Sequence, residues 1–184
     1  MEKPLIILDR DGVINVDSPN YIKCPEEWIP IKGSLEAIAR LNQAGYSVVI
    51  ATNQAGISRG IFTFEDLHAI HSKMIDILTQ YGGNIDAIFF CPHKPSDSCD
   101  CRKPNPGLIY EIQNRFKVDL SRVKLIGDSH RDILAAYKAG AAPVLVNTGN
   151  GKKTIDEHKN GTQKLPPDTK TFLNLFEAVK NILK

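Results

Sequence analysis

An α/β fold, a three-layer sandwich with a mostly parallel central sheet between helices, is predicted by three observations. Short aliphatic runs bounded by turn residues recur at residues 5–8, 47–51, 85–90, 123–126 and 143–146, as strands buried on both faces require. Segments with helical apolar spacing lie between them, and such alternation sets parallel strands side by side with helices on both faces. Polar and acidic residues stand immediately after several of these runs. Open α/β sheets bind their ligands there, beyond the carboxyl ends of the strands.

The first run, Leu5-Ile6-Ile7-Leu8, stops abruptly at Asp9-Arg10-Asp11-Gly12. Side chains two apart on an extended chain point the same way, so Asp9 and Asp11 share one small volume while Arg10 points elsewhere. Residues 15–33 are polar, contain proline and show no sustained period; they read as a long loop over the sheet edge, of a kind that often carries function. A helix follows over residues 34–44, with Ser34 as N-cap and Gly45 as the stop. The strand at 47–51 delivers Thr52, Asn53 and Gln54 at its end, and residues 63–81 form a second helix capped by Thr63, with Glu65 and Asp66 in its first turn.

The strand at 85–90 runs into Cys91. Residues 106–117 form a helix with Pro106 in its first turn, and the strand at 123–126 ends in Gly127-Asp128. A short helix at 131–139 is closed by Gly140, a fifth strand covers 143–146, and a C-terminal helix covers 168–183. Residues 147–167, rich in Gly, Lys and Asn, read as a mobile loop.

A chain of 184 residues is expected to form one domain over residues 1–184, large enough for a core without disulfides. The net charge of +2, the lack of a basic run and the scarcity of aromatics argue against nucleic acid as a partner. No apolar run approaches the length of a membrane span, and Met1-Glu2-Lys3-Pro4 leaves no room for a signal peptide, so a cytoplasmic protein is expected. A reducing compartment in turn favours metal over disulfides for the clustered Cys91, Cys99 and Cys101.

Four segments converge on one edge of this sheet: Asp9 with Asp11, Thr52 with Asn53, Arg102 with Lys103, and Asp128 with Asp132. Clustered carboxylates repel one another unless a cation sits among them, and an all-oxygen donor set favours Mg²⁺. Arg102, Lys103, Thr52 and Asn53 would hold phosphate oxygens, where charge must be neutralised during transfer. Beside this set, Cys91, His93, Cys99 and Cys101 supply three thiolates and an imidazole, a closed tetrahedral zinc set with no position for a catalytic water. A structural zinc there would anchor the loop that presents Arg102 and Lys103.

In chain order, Asp9-Arg10-Asp11-Gly12-Val13, Thr52-Asn53, Cys101-Arg102-Lys103-Pro104 and Gly127-Asp128-Ser129-His130-Arg131-Asp132 resemble the four motifs of the haloacid dehalogenase (HAD) superfamily of phosphohydrolases. The resemblance covers nearly the whole chain and implies a Rossmann-like core; no insertion is long enough for a large cap domain. It implies that Asp9 is the nucleophile, forming an aspartyl-phosphate, and that Asp11 is first general acid and then general base. Thr52 and Lys103 would bind the transferring phosphoryl group. Mg²⁺ would be held by Asp9, the backbone carbonyl of Asp11 and Asp128, with Asp132 a water-mediated partner.

The zinc loop and short chain resemble a group of phosphatases in that superfamily that act on sugar bisphosphates or on histidinol phosphate. The segment from Asp9 to Asp17, with Tyr21 and the segment from Asn53 to Gly60, resembles the bisphosphate branch most, which implies a heptose of the lipopolysaccharide core as the sugar. Arg59 and Arg102 are candidates for a second phosphate. By the same resemblance, Asp17, Ser18, Pro19 and Asn20, with Asn53, Gln54 and Ala55, line the sugar side, and Ser129 lies near the leaving group. Asp17 keeps histidinol phosphate as the alternative, because an ammonium substrate needs a carboxylate at the mouth. A monomer acting on a phosphorylated sugar, without membrane or nucleic acid, is the expectation.

Other residues read more plainly. Cys24 is expected to be an ordinary thiol. His68 and His71 lie three apart on one helix without a third ligand nearby, and His130 is expected to be exposed on its loop rather than ligating. A response-regulator receiver also places acids at strand ends, but it needs neither the spacing of Asp9 to Asp11 nor a zinc loop.

Overall fold

The computed structural model describes residues 3–184; Met1 and Glu2, part of the leader expectation, lie outside them. Six parallel strands form one sheet in the order β3-β2-β1-β4-β5-β6. They are β1 (Leu5–Leu8), β2 (Ser47–Asn53), β3 (Ala87–Cys91), β4 (Lys124–Gly127), β5 (Ala142–Val146) and β6 (Lys170–Phe172). The α-helices are α1 (Ser34–Gln43), α2 (Phe64–Gln80), α3 (Gly107–Phe116), α4 (His130–Ala139), α5 (Gly151–Lys159) and α6 (Leu175–Ile182). Among the described residues no helix is long and apolar enough to cross a membrane.

The period of two along each strand divides the core between two faces. Ile6 and Leu8 of β1 pack with Ile38, Met74 and Val179 of α1, α2 and α6, whereas Leu5 and Ile7 pack with Ile109, Ile112 and Ala135 of α3 and α4. Every β1 side chain is therefore buried, and the strand is aliphatic throughout. β1 is central: Leu8 stands opposite Ile50 of β2 on one side and Ile126 of β4 on the other. The three strand ends that carry Asp9, Thr52 and Asp128 thus open onto one crevice.

Several local expectations shift. Gly33, at φ 85°, is the N-cap of α1, and Ser34 instead donates its hydroxyl to the Val13 carbonyl at 2.9 Å. Only glycine takes that left-handed backbone at low cost. Thr63 does cap α2, through a reciprocal pair with Asp66. The third strand lies at Ala87–Cys91, so Cys91 belongs to it. The 15–33 segment is anchored by bridges of Asn15 to Asp11 and Pro30 and by a short 3₁₀ turn at Pro25–Glu27. Residues 147–167 contain helix α5, and the expected C-terminal helix divides into strand β6 and helix α6, capped by Asn174. β6 escapes the sequence pattern because it is a three-residue edge strand with only Phe172 half-buried.

Candidate active site

Asp9 follows β1 directly, its backbone N–H bonded to the Ile126 carbonyl of β4 at 2.9 Å. Its Oδ1 accepts from the Arg10 backbone N–H at 2.8 Å and lies 2.9 Å from Lys103 Nζ. Lys103 is 1% exposed, and its ammonium also reaches Asp132 Oδ1 at 2.6 Å and the Ala51 carbonyl at 2.7 Å. Burial alone would lower the lysine pKa, but Asp132 and Asp9 outweigh it and hold the ammonium above its usual value. Asp132 is correspondingly held low: Lys103 overcomes its burial, and Ser129 donates to its Oδ2 from backbone and hydroxyl.

Asp9 and Asp128 behave oppositely. Burial first, then neighbouring carboxylates, push Asp9 up to about 7 and Asp128 up to about 8. Asp9, Asp128 and Asp132 each offer a carboxylate oxygen within 4.8 Å of the others. A buried all-oxygen set short of positive charge fits a hard divalent cation, Mg²⁺ above all. The backbone packs tightly around it. A Cβ on Gly12 would fall 2.1 Å from Asp128 Oδ2, and one on Gly149 would fall 2.2 Å from the same atom.

Arg10 does not point away, as strand alternation implies. Its guanidinium folds back onto Asp11, with Nε 3.1 Å from Oδ1 and Nη2 3.0 Å from Oδ2. Asn15 Nδ2 and Gln54 Nε2 complete the cradle at 2.9 and 3.0 Å. Burial would raise the Asp11 pKa, but Arg10, Asn15 and Gln54 outweigh it and keep the group a carboxylate. Gln54 Nε2 also reaches Thr52 Oγ1 at 2.9 Å, so one amide ties Asp11 to Thr52. Asn53 likewise has a positioning role: its side chain exchanges two hydrogen bonds with the Lys103 backbone, at 3.0 and 3.1 Å. Its amide is thereby used on the loop rather than aimed at a phosphate.

Cys91, His93, Cys99 and Cys101 come together as the spacing implies. The Sγ and His93 Nδ1 atoms lie 3.2 to 3.6 Å apart in the five closest pairs, near the edges of a tetrahedron around one zinc ion. Arg102 Nη1 donates to the His93 carbonyl at 3.1 Å, which ties the cluster to the cation beside it. Cys24 is a free, half-buried thiol apart from this group.

A cleft of ≈ 370 Å³ opens above the acids. It is lined by Asp9, Asp11, Thr52, Lys103, Asp128 and Asp132 at its base and by Asp17, Ser18, Pro19, Asn53, Gln54, Ala55, Arg59 and Arg102 around it. Asn20 and Ser129 do not line it: Asn20 is exposed, and Ser129 is spent on Asp132. Lining residues outside the expected site include Arg131, which the motif offers only as the neighbour of Asp132, and Tyr21, which the sequence offers only as part of the resemblance to the bisphosphate branch. Asn150 comes from the segment read as mobile; it donates to Asp128 Oδ2 from backbone and side chain at 2.7 and 3.1 Å and to Asp17 Oδ2 at 2.9 Å. Burial, then Arg131, lower the Arg102 pKa, with Arg59 adding to the effect; among the described residues none of the three arginines has a carboxylate partner.

Carboxylates after β1 and β4, a hydroxyl at the C-terminal end of β2 and a buried ammonium before α3 form the phosphohydrolase arrangement of the HAD superfamily. The HAD-hydrolase-like family profile matches residues 100–171. The D-glycero-beta-D-manno-heptose-1,7-bisphosphate 7-phosphatase of Bordetella bronchiseptica is 52% identical over 98% of each chain, and that of Pseudomonas aeruginosa is 46% identical over the full length of both. The crystal structure of the B. bronchiseptica D,D-heptose 1,7-bisphosphate phosphatase with magnesium and phosphate superposes with a TM-score of 0.93 over 98% of each chain. That of the Burkholderia thailandensis enzyme, 41% identical, gives 0.77 over 99% of each. The chain belongs to this family of heptose-bisphosphate phosphatases.

Proposed function

We propose that the chain removes the C7 phosphate of D-glycero-D-manno-heptose 1,7-bisphosphate, leaving the 1-phosphate, in synthesis of the lipopolysaccharide core heptose. The observation that carries this reading is the set Arg59, Arg102 and Arg131, cations around the cleft that holds Asp9 and in no ion pair with a carboxylate among the described residues. A second phosphate satisfies them. The alternative, histidinol phosphate, is not favoured: its ammonium would meet three arginines around the cleft, and the similar proteins are heptose-bisphosphate phosphatases.

In this reading Asp9 attacks phosphorus as the bond to the sugar oxygen breaks. Oδ1 is held by Lys103 and the Arg10 N–H, so Oδ2 is the attacking atom. Lys103 and Thr52 hold the transferring oxygens, and Asp132 keeps Lys103 charged and in place. Asp11 rests as a carboxylate; an incoming phosphate raises its pKa by adding negative charge, so that it carries the proton for the departing alkoxide. It then takes a proton from the water that hydrolyses the Asp9 phosphoester, releasing phosphate.

Asp9, Asp128 and the Asp11 carbonyl hold Mg²⁺, which when bound neutralises phosphate charge. Zinc on the Cys91 cluster is structural and steadies the Arg102 loop. The 184 residues work as one cytoplasmic domain, as a monomer. The test is ³¹P NMR of the product together with kcat/KM against histidinol phosphate. Loss of the C7 signal alone, with roughly a hundredfold preference for the bisphosphate, about 3 kcal/mol, supports the reading; the reverse preference contradicts it.

A further inference from the structure

His71 lies on α2 and does not line the cleft, yet it is only 8% exposed, with its Nε2 3.1 Å from Arg10 Nη1. Arginine has donors and no acceptor, so His71 must accept here, which leaves Nε2 unprotonated and puts the ring proton on Nδ1. Burial and the adjacent guanidinium push its pKa down to about 3, so the ring stays a neutral acceptor. Arg10 itself has no exposed surface. Its Nε and Nη2 face Asp11 and Gln54, and Nη1 is the donor left over, with His71 as its partner among the described residues.

We infer that His71 is a positioning residue for the acid/base chemistry: it fixes the far nitrogen of the Arg10 fork, and through the fork it fixes the carboxylate of Asp11. The guanidinium is planar and rigid, so its N–H vectors turn together. Without an acceptor at position 71, Nη1 is a buried donor with no bond, and the fork relieves this only by turning. That same turn misdirects the two N–H groups on Asp11. A histidine that merely filled space in α2 would have no such link to proton transfer. The inference rests on Asp11 being the acid/base, as proposed above.

The experiment uses the metal-loaded full chain and measures single-turnover release of the leaving group, the sugar against p-nitrophenolate, in His71→Leu, His71→Gln and Asp11→Asn. An alkoxide needs a proton and an activated phenolate does not. His71→Leu is expected to slow sugar release about tenfold or more and aryl release less than about threefold, with KM unchanged. His71→Gln, which keeps an acceptor, is expected to restore both. Equal losses for the two leaving groups, or a Gln variant no better than Leu, would overturn the inference. If the Leu variant does not fold, ¹⁵N NMR of wild-type His71 decides: an unprotonated Nε2 from pH 5 to 8 supports it and a protonated one overturns it. Asp11→Asn separates the layers. Should it slow both substrates alike, the role of Asp11 fails and this inference with it; should it discriminate where His71→Leu does not, the inference alone fails.

Discussion

Lys103 Nζ lies 2.9 Å from Asp9 Oδ1 in a site where the lysine is 1% exposed. The pair joins the proposed nucleophile to the loop that follows the Cys91 cluster. With Asp132 on the other side, one ammonium compensates two buried acids.

Replacing Lys103 with Met should therefore cost more than phosphate affinity. Breaking a buried ion pair from one side leaves an uncompensated charge, about 3–5 kcal/mol of destabilisation. Urea unfolding is expected to show that loss, and turnover is expected to vanish. Lys103→Arg should not rescue it, because the planar fork cannot copy three compact donors.

The acids set a pH dependence for the metal-free protein. Asp9 and Asp128 have folded pKa values of about 7 and about 8, above those of an unfolded Asp. The folded state then binds more protons at these two groups than the unfolded one across that window, so their contribution to stability is fully present below about pH 4 and falls as pH rises to about 8, while the lowered Asp11 and Asp132 act in the opposite sense as pH falls. Thermal melts in chelator are expected to show the fall between pH 5 and 8, and added Mg²⁺ should raise the melting temperature more at pH 8 than at pH 5. An unchanged increment would mean that the cation does not bind these acids.

Gly149→Ala is expected to act through Asp128. The new Cβ would fall 2.2 Å from Oδ2 and 2.6 Å from the Gly12 Cα, at a backbone φ of 54°. The carboxylate must move, so the Mg²⁺ concentration for half-activation should rise roughly tenfold or more, the effect typical of disturbed ligand support. A magnesium titration of activity checks this.

Cys99→Ser should lower zinc content and loosen the Arg102 loop, because Arg102 is tied to the His93 carbonyl. The expected signature is a lower melting temperature and a KM increase larger than the kcat loss, read beside zinc content by elemental analysis. Full zinc loading with a loss confined to kcat would contradict the structural role.

Arg59→Ala and Arg131→Ala should each raise KM for the bisphosphate about tenfold or more, the loss of one charge-assisted contact, while sparing a monophosphorylated aryl substrate. Equal effects on both substrates would remove these arginines from second-phosphate recognition.

The strand-end residues were legible in the sequence because a buried parallel strand is aliphatic until it ends: Asp9, Thr52 and Asp128 each mark that boundary. The Cys91 set was legible because four ligand types fall within one short loop. The links of Arg10 and His71 were not, since strand alternation sends Arg10 away from Asp11 and only the folded position of α2 brings His71 to it; Gln54 was read as lining the pocket, but not its bond to Asp11. Helix α5 stayed hidden because it buries just Gly151 and Thr154 and so has no apolar stripe. Asn150 was hidden with it. Ser129 shows the converse: its motif position implied the leaving group, but the start of α4 uses its hydroxyl on Asp132.

The covalent role of Asp9 is tested most directly by acid-quenching a single turnover of ³²P-labelled bisphosphate and mapping the label. Label on the peptide that holds Asp9, formed and lost at rates compatible with turnover and absent in Asp9→Asn, is the expected result. Undiminished phosphate release by Asp9→Asn, with no labelled protein in either form, would contradict it.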